Sequence, residues 1–591
     1  MIQTDRRRLL AGSLAFGAAA ATQGLLPAWA QGGASPGAPA ALSGDHIALR
    51  IGHTPFSVGG ETGHAVTVNG TLPAPLIRLR EGQRAHLSVT NDLAEDTSIH
   101  WHGLLLPFQM DGVPGISFPG IKPGETFHYE FPVIQAGTYW YHSHSNLQEA
   151  MGCYGPLVID PAGAEPAAYD REHVIVLSDW SFLHPHEILA RLKKSPGYFN
   201  RSRTTLSGLL SGEDGMDLAE RRMWGAMRMD PRDIADVNGT TYTYLINGQG
   251  PQAPWRGLFS PGEKVRLRLI NASAMSIFNV RIPGLALRVV QADGADVRPV
   301  ETDELQISVA ETYDVLVEPK AEQAYALVAE SVDRSGMAVA MLAPRPGMSA
   351  EVPPLREVPT LTMRDMGMGG MAGMDHGAMD HGGMDHAAMG HGPPAAPAAM
   401  DHGAHQMRDK ALAPPGMAVG VGVDMIAPAP VSRLAERPMG LEDVPHRVLT
   451  YADLVALSPG EDRRAPSRSL EIHLTGNMER FMWGFDGRKF SELVEPIAFS
   501  RDERVRVTLI NDTMMAHPIH LHGHFFELVN GAPDGHQPLK HTVNVAPGSK
   551  VTFDLTADAP GDWAFHCHML MHMHAGMFNV VTVRPLDGGA A

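Results

Sequence analysis

The chain has 591 residues, 44% hydrophobic and 19% charged, a globular composition with room for three to five domains at roughly 100–200 residues each. Its 47 Lys and Arg against 65 Asp and Glu leave a formal charge of −18, which excludes the basic surface a nucleic-acid binder needs and suits cations instead. Thirty His and 32 Met accompany only two Cys, Cys153 and Cys567, so no disulfide framework is available, and donors of these kinds point to a metal, copper above all.

In chain order, the first element is an address. Arg6-Arg7-Arg8, a weakly apolar Ala/Gly-rich run from Leu9 to Leu26 and the A-x-A site Ala28-Trp29-Ala30 predict an export signal over 1–30. The paired arginines favour the twin-arginine route and a periplasmic destination. The run is too poor in Leu, Ile and Phe for a stable membrane anchor. No later stretch approaches about 20 apolar residues, so the processed protein is expected to be soluble.

Next comes an internal repeat. Glu81–Asn91, Pro261–Asn271 and Arg501–Asn511 each join a polar turn to alternating apolar and polar residues, the pattern of a half-buried strand. Nine and eleven residues after the closing Asn stand His100 and His102 in the first copy and His520 and His522 in the third, but Val280 and Ile282 in the second. A second element repeats too. Pro123-Gly124 leads through Gly137 to His142-Ser143-His144, and Pro547-Gly548 leads at identical spacing through Gly561 to His566-Cys567-His568. The matching stretch of the middle copy, Glu311 to Glu330, contains no His.

The expected organisation is therefore three homologous β-domains, at 43–162, 163–345 and 441–591, built as Greek-key sandwiches or barrels. A helical insertion is expected over about 182–235, including Leu218 to Met227, with its Met residues as core contacts. A linker spans 346–440. Its low-complexity tract, 363–407, holds ten Met and six His with no Val, Ile, Leu or aromatic residue, so it is expected to lack a packed core.

His-x-His on a strand places both imidazoles on one face. Four such pairs occur: His100/His102, His142/His144, His520/His522 and His566/His568. Their repeat-related positions in two domains are hard to explain without metal. The third domain adds His517, Cys567, His572 and Met577, the ligand types of a blue-copper electron-transfer site. Because Cys567 lies between His566 and His568, an electron received there has a covalent route into the histidine cluster. A cluster that collects several electrons suits reduction of O2 to water, chemistry that side chains alone do not supply.

His100-Trp-His-Gly, His142-Ser-His, His517-Pro-Ile-His-Leu-His-Gly and His566-Cys-His-Met-Leu-Met-His572, followed by Met577, resemble the four copper motifs of the multicopper oxidases. The resemblance covers essentially the whole exported chain outside the Met/His tract. It implies an all-β protein of three cupredoxin-like domains holding four copper ions. His517, Cys567, His572 and Met577 would bind type 1 copper. His100 and His520 would bind type 2, and His102, His142, His144, His522, His566 and His568 the type 3 pair. The signal, the tract and Leu474–Asp486 are similar to the CopA-type copper-resistance branch of the bacterial periplasm. Asp111 matches a family acid near the type 2 copper and is a candidate proton donor to O2; a plain turn role in Asp111-Gly112 is equally open. Met573 and His574 stand where relatives often carry an acid. Cys153 has no ligand role and is expected to be a small buried residue.

The function expected from this set is oxidation of Cu(I) to Cu(II) coupled to O2 reduction, in copper resistance. Met514, Met515, Met571 and Met573 are candidates for presenting Cu(I), against a reading as core packing, and the tract could bind further copper. The alternatives are a laccase-like oxidase of small phenols and a copper-sequestering protein without turnover. Periplasmic copper-handling proteins are the expected macromolecular partners.

Overall fold

The structure is a computed structural model that describes residues 41–212, 216–368 and 409–586. The export signal and nearly all of the Met/His tract lie outside the described residues. Six β-sheets pair into three sandwiches. One sheet of each shares a run of four strands, preceded by an extra strand in the first and followed by one in the others. In the first sandwich its order is Leu42–Ser43, Ile77–Arg80, Tyr154–Asp160, Gly137–His142, His100–His102. In the second it is Trp255–Leu258, Met337–Ala343, Tyr325–Ser331, Phe278–Arg281, Glu304–Ile307. In the third it is Ile497–Ser500, Phe578–Arg584, Gly561–Cys567, His517–Leu521, Thr542–Val545.

The three aligned segments form the strands Arg84–Asn91, Val265–Asn271 and Arg504–Asn511, all in the opposite sheets. Arg84–Asn91 alternates between covered and open positions as its sequence alternates, one face packing on the core. The closing Asn explains its own recurrence. Each is fully buried, its Oδ1 accepts the N–H two residues on, and its Nδ2 donates to two backbone carbonyls. Asn271 reaches Ile307 and Asn511 reaches Val545, both across the sandwich, at 3.1 and 2.9 Å. Asn91 reaches Ile121 at 2.8 Å. A residue that satisfies three backbone groups at once fixes where the chain leaves one sheet for the strand carrying the histidines.

The insertion is helical as expected, with helices at Pro185–Lys194, Leu206–Ser211 and Leu218–Met227. Asp217 opens the last of these with a reciprocal capping box to Glu220. Trp224 and Met227 pack into the core, and Met216, Met223 and Met229 lie against it, so these Met residues serve packing. One hydrophobic core runs through the second and third sandwiches, and a separate one fills the first. Cys153 lies in the latter, fully buried, its thiol pushed up to about 12 by desolvation.

The sandwiches are joined through close backbone contacts. Gly137 packs against Gly294 so tightly that a Cβ there would lie 2.4 Å from the Gly294 carbonyl oxygen. The described flanks of the linker are docked as well. Arg356 bridges Glu304 and Glu330, Met366 is fully buried, and Val431–Ser432 adds a short strand beside Ser549–Thr556. No helix among the described residues is long and apolar enough to cross a membrane.

Candidate metal centre

The strands His100–His102 and Gly137–His142 of the first sandwich face His517–Leu521 and Gly561–Cys567 of the third. Within each sandwich the ladder sets the histidines side by side: His100 pairs with His142, and His520 with His566. Between sandwiches the rings stack, His100 on His522 and His102 on His520, each with centroids 3.9 Å apart. All eight imidazoles of the four pairs meet here, seven of them buried and His144 partly so. Two triads are evident. The Nε2 atoms of His144 and His522 lie 3.3 and 3.0 Å from His566 Nε2. The rings of His102, His142 and His568 approach within 4.9–5.7 Å of one another.

The nitrogens that face away from the cluster are tied down. His100 Nδ1 donates to the Asp111 carbonyl (2.8 Å), His522 Nδ1 to Asp111 Oδ2 (2.8 Å), His520 Nδ1 to the His541 carbonyl (2.7 Å) and His566 Nδ1 to the Cys567 carbonyl (3.0 Å). His142 Nδ1 lies 2.7 Å from Glu149 Oε2. The inward nitrogens are left without partners: Nε2 of His100, His142, His520 and His568, and Nδ1 of His102, whose Nε2 turns to Thr542 Oγ1 at 3.4 Å. Buried polar atoms are normally satisfied, so five convergent orphans, four of them on rings whose other side is fixed, form a set of lone pairs suited to a cation. Burial, reinforced by neighbouring imidazoles, lowers His102, His142, His144, His520, His522 and His568 well below the usual histidine range. Burial, aided by His100 and opposed by the Cys567 carbonyl, brings His566 to about 4. Neutral imidazole is the ligand form.

The second sandwich supplies no imidazole to this cluster, yet it braces it. Asp293 accepts from the Thr542 N–H at 3.1 Å and pairs with fully buried Lys540, which also meets Glu311 at 3.0 Å. Val280 and Ile282 are core residues there.

A second, smaller site lies one residue away along the chain. Cys567 Sγ is 3.6 Å from His517 Nδ1 and 3.8 Å from His572 Nδ1, and the two Nδ1 atoms are 3.1 Å apart. Met577 is fully buried, and its carbonyl accepts from the Cys567 N–H at 3.1 Å. Here the outward nitrogen is Nε2: His517 meets Thr513 Oγ1 at 2.8 Å and His572 meets Asp236 Oδ2 at 2.6 Å. Burial lowers His572 to about 3, raises the Cys567 thiol and lifts Asp236 to about 7. The Trp483 ring covers His572 at 4.1 Å. Two imidazoles and a thiol that converge in a buried site, with a buried methionine on the same segment, fit copper better than any hard cation.

The structure thus brings together the ten histidines and Cys567 proposed as ligands from the sequence, with Met577 joined to Cys567 through the backbone. Asp111 fits the turn reading and is also placed beside two cluster imidazoles. It closes the turn Phe108–Met110 before Gly112, and it is buried with its carboxylate on His522 and 3.3 Å from His100. Met514, Met515 and Met571 lie in the shared core at 0–2% exposure, and the Met571 N–H donates to Met275 Sδ. Met573 is half-buried, against Val113, Ala564 and Phe578. Sequence reasoning missed Glu149, Asp236, Thr513 and Thr542. For Glu149 a signal existed, an acid five residues after His144 in an otherwise uncharged stretch. For Asp236, 336 residues from His572, there was none.

Three models described as multicopper oxidase match residues 50–164, 171–345 and 463–587. The chain is 49% identical to a copper resistance protein A homolog of Pseudomonas syringae pv. tomato, over 94% of this chain and 95% of the relative. It is 48% identical to copper resistance protein A of Escherichia coli, over 99% and 100%. It is 31% identical to the multicopper oxidase MmcO of Mycobacterium tuberculosis, over 88% and 84%. Among solved structures it resembles Fet3p, titled a multicopper oxidase that functions in iron import, with a TM-score of 0.62 at 19% identity over 92% and 91% of the chains. It also resembles the laccase of Botrytis aclada, with a TM-score of 0.62 at 21% identity over 92% and 88%. These last two likenesses concern the fold.

Proposed function

The chain belongs to the multicopper oxidase family, and from that premise we propose that it oxidises Cu(I) to Cu(II) in periplasmic copper resistance while reducing O2 to water. His517, Cys567, His572 and Met577 would hold type 1 copper, His100 and His520 type 2, and the triads His144/His522/His566 and His102/His142/His568 the type 3 pair. Copper so bound supplies the one-electron and O2 chemistry that side chains lack. The names of the relatives support copper resistance, and Arg6-Arg7-Arg8 supports twin-arginine export.

The observation that carries the reading is Cys567. Its thiol faces the smaller site while its neighbours His566 and His568 face the larger, on a strand registered against Ile519 and His520. No other route between two metal sites is as short as adjacent residues. The chain's own part in turnover is to keep these sites dry, to hold the imidazoles neutral and oriented, and to place Asp111 where it can pass a proton toward the space between His100 and His522.

The entry side favours a metal ion over an aromatic substrate. His572 is wholly buried, capped at Nε2 by the Asp236 carboxylate and covered by Trp483. With Asp236 holding Nε2, the closed face leaves no edge of the imidazole for a phenol ring to touch. Met/His residues before the third sandwich would raise local Cu(I). The described segment that follows the tract docks beside this entrance: Val421 and Asp424 bond Asn477 and Gly476, on the strand paired with Met482–Phe485, which bears Trp483. The test is O2 consumption by copper-loaded protein with Cu(I) and with a phenol. Faster turnover of Cu(I), with a strong blue absorbance, is expected. Phenol oxidation without Cu(I) oxidation would favour a laccase, and copper binding without O2 uptake a store.

A further inference from the structure

Glu149 is 2% exposed and stands behind the larger site. It opens the short turn Glu149–Met151, and that turn is held rigidly. The preceding Gln148 uses its whole amide. Its Oε1 accepts from Thr97 and Ser143 hydroxyls at 2.7 and 2.8 Å, and its Nε2 donates to Glu95 Oε1 and the Asp96 carbonyl, both at 3.0 Å. Gly152 ends the turn at φ +106°, where a Cβ would lie 2.4 Å from Leu72 Cδ1. The carboxylate is thus placed by its surroundings and points at two imidazoles from different sandwiches. Oε2 is 2.7 Å from His142 Nδ1; Oε1, which has no hydrogen-bond partner, is 3.9 Å from His568 Nδ1.

The repeat shows what this adds. His566, the counterpart of His142, is held by the carbonyl of the next residue at 3.0 Å and by the Phe578 ring. His142 has the same device, the Ser143 carbonyl at 3.1 Å with Trp140 stacked at 4.2 Å, and Glu149 lies closer still. One ring therefore needs no carboxylate to be oriented. A carboxylate that also addresses His568 does something a local carbonyl cannot: it sets one ring of the first sandwich relative to one of the third.

We propose that Glu149 is a positioning residue for the copper bound by His102, His142 and His568, spanning the joint between the two sandwiches so that both Nε2 atoms converge on one ion. The proposal rests on the ligand reading above. Asp111 performs the matching task for His100 and His522, so each side of the cluster has one buried carboxylate shared between sandwiches.

The experiment uses full-length copper-loaded protein and the variants E149Q, E149A and E149D. Copper per chain, blue absorbance and the fraction of Cu(II) visible by electron paramagnetic resonance are measured. A coupled type 3 pair is silent in that spectrum, so wild type should show half of its four coppers. E149A and E149Q should keep the blue colour, lose the silent pair and bind the affected copper roughly 10- to 100-fold more weakly. E149D should recover part of the silent pair. An E149A protein with four coppers, an intact silent pair and unchanged affinity would overturn the proposal. So would an E149Q protein that lost blue and silent copper together, since that marks a scaffold residue. If wild type itself showed no silent pair, the ligand reading would fail, whatever Glu149 does.

Discussion

His517–Leu521 and Phe278–Arg281 occupy the same place in sheets of the same order, and their partners are in the same register: His520 opposite His566, Val280 opposite Ala329. One strand is a metal wall and the other is core. The difference lies in what each faces. The strand of the third sandwich meets its like from the first, so imidazoles on both can share an ion. The strand of the second has its inward positions filled by Val280 and Ile282, at 1% and 2% exposure, in an apolar interior. The architecture can be repeated without the chemistry, which needs two copies opposed.

The strongest way to break the contrast is to remove the thiol that, with His517, His572 and Met577, sets the third sandwich apart from the other two. Cys567→Ser should abolish both blue colour and turnover, because a neutral hydroxyl is a hard ligand with no thiolate charge-transfer path. The fold should persist, read by circular dichroism. A blue, active Cys567→Ser protein would remove the type 1 assignment.

The contrast is sharpened by grafting. Val280→His with Ile282→His reproduces the histidine pattern in the middle copy, where no second wall faces it. Copper per chain should stay at the wild-type number. Stability should fall by roughly 3 kcal/mol or more, because two imidazoles enter an apolar core without partners. Denaturant unfolding measures this; an extra bound copper would show that the strand alone makes the site.

A third test concerns protons. His566 and His572 are held down to about 4 and about 3, while an unfolded His titrates near ~6.5. Between these values the unfolded chain binds more protons. The stability of copper-free protein is therefore complete above about pH 6.5 and declines as pH falls toward 4. Copper should flatten the decline until protons displace it. Melting temperature against pH, with and without copper, gives both curves; an apo curve flat from pH 7 to about 4.5 would contradict the burial.

The smallest effect is expected from the tract. Because Met366 is fully buried, the deletion that leaves the sandwiches intact is 369–408. It should reduce copper bound beyond four ions and slow Cu(I) oxidation several-fold at limiting copper, with phenol oxidation unchanged or faster. Equal loss with both substrates would make the tract merely structural.

Spacing made most of this legible in the sequence. Pairs at period two, equally spaced in the first and third copies, identify the strands, the repeat and eight of the twelve ligand candidates, because strand geometry maps sequence period directly onto a face; His517, Cys567, His572 and Met577 came from their ligand types and the family resemblance. The supports of those ligands were not legible. Asp236 meets His572, and Glu149 meets His568, only because separate sandwiches dock, and docking leaves no period in a sequence. The Met residues near the copper motifs had two readings in the sequence, delivery and packing; Met514, Met515 and Met571 lie in the shared core, but so does Met577, so burial does not separate a ligand from a packing residue.

The eight cluster imidazoles belong to two sandwiches and are, except for His144, closed off between them. An ion bound there would be a rivet as well as a cofactor, with His144 its one partly open flank. If the first and third sandwiches must part to free it, loss to a strong chelator should proceed at the rate of that opening, first order in protein and indifferent to further chelator. Copper at the Cys567 site, whose ligand candidates all belong to the third sandwich, would be free of that clock.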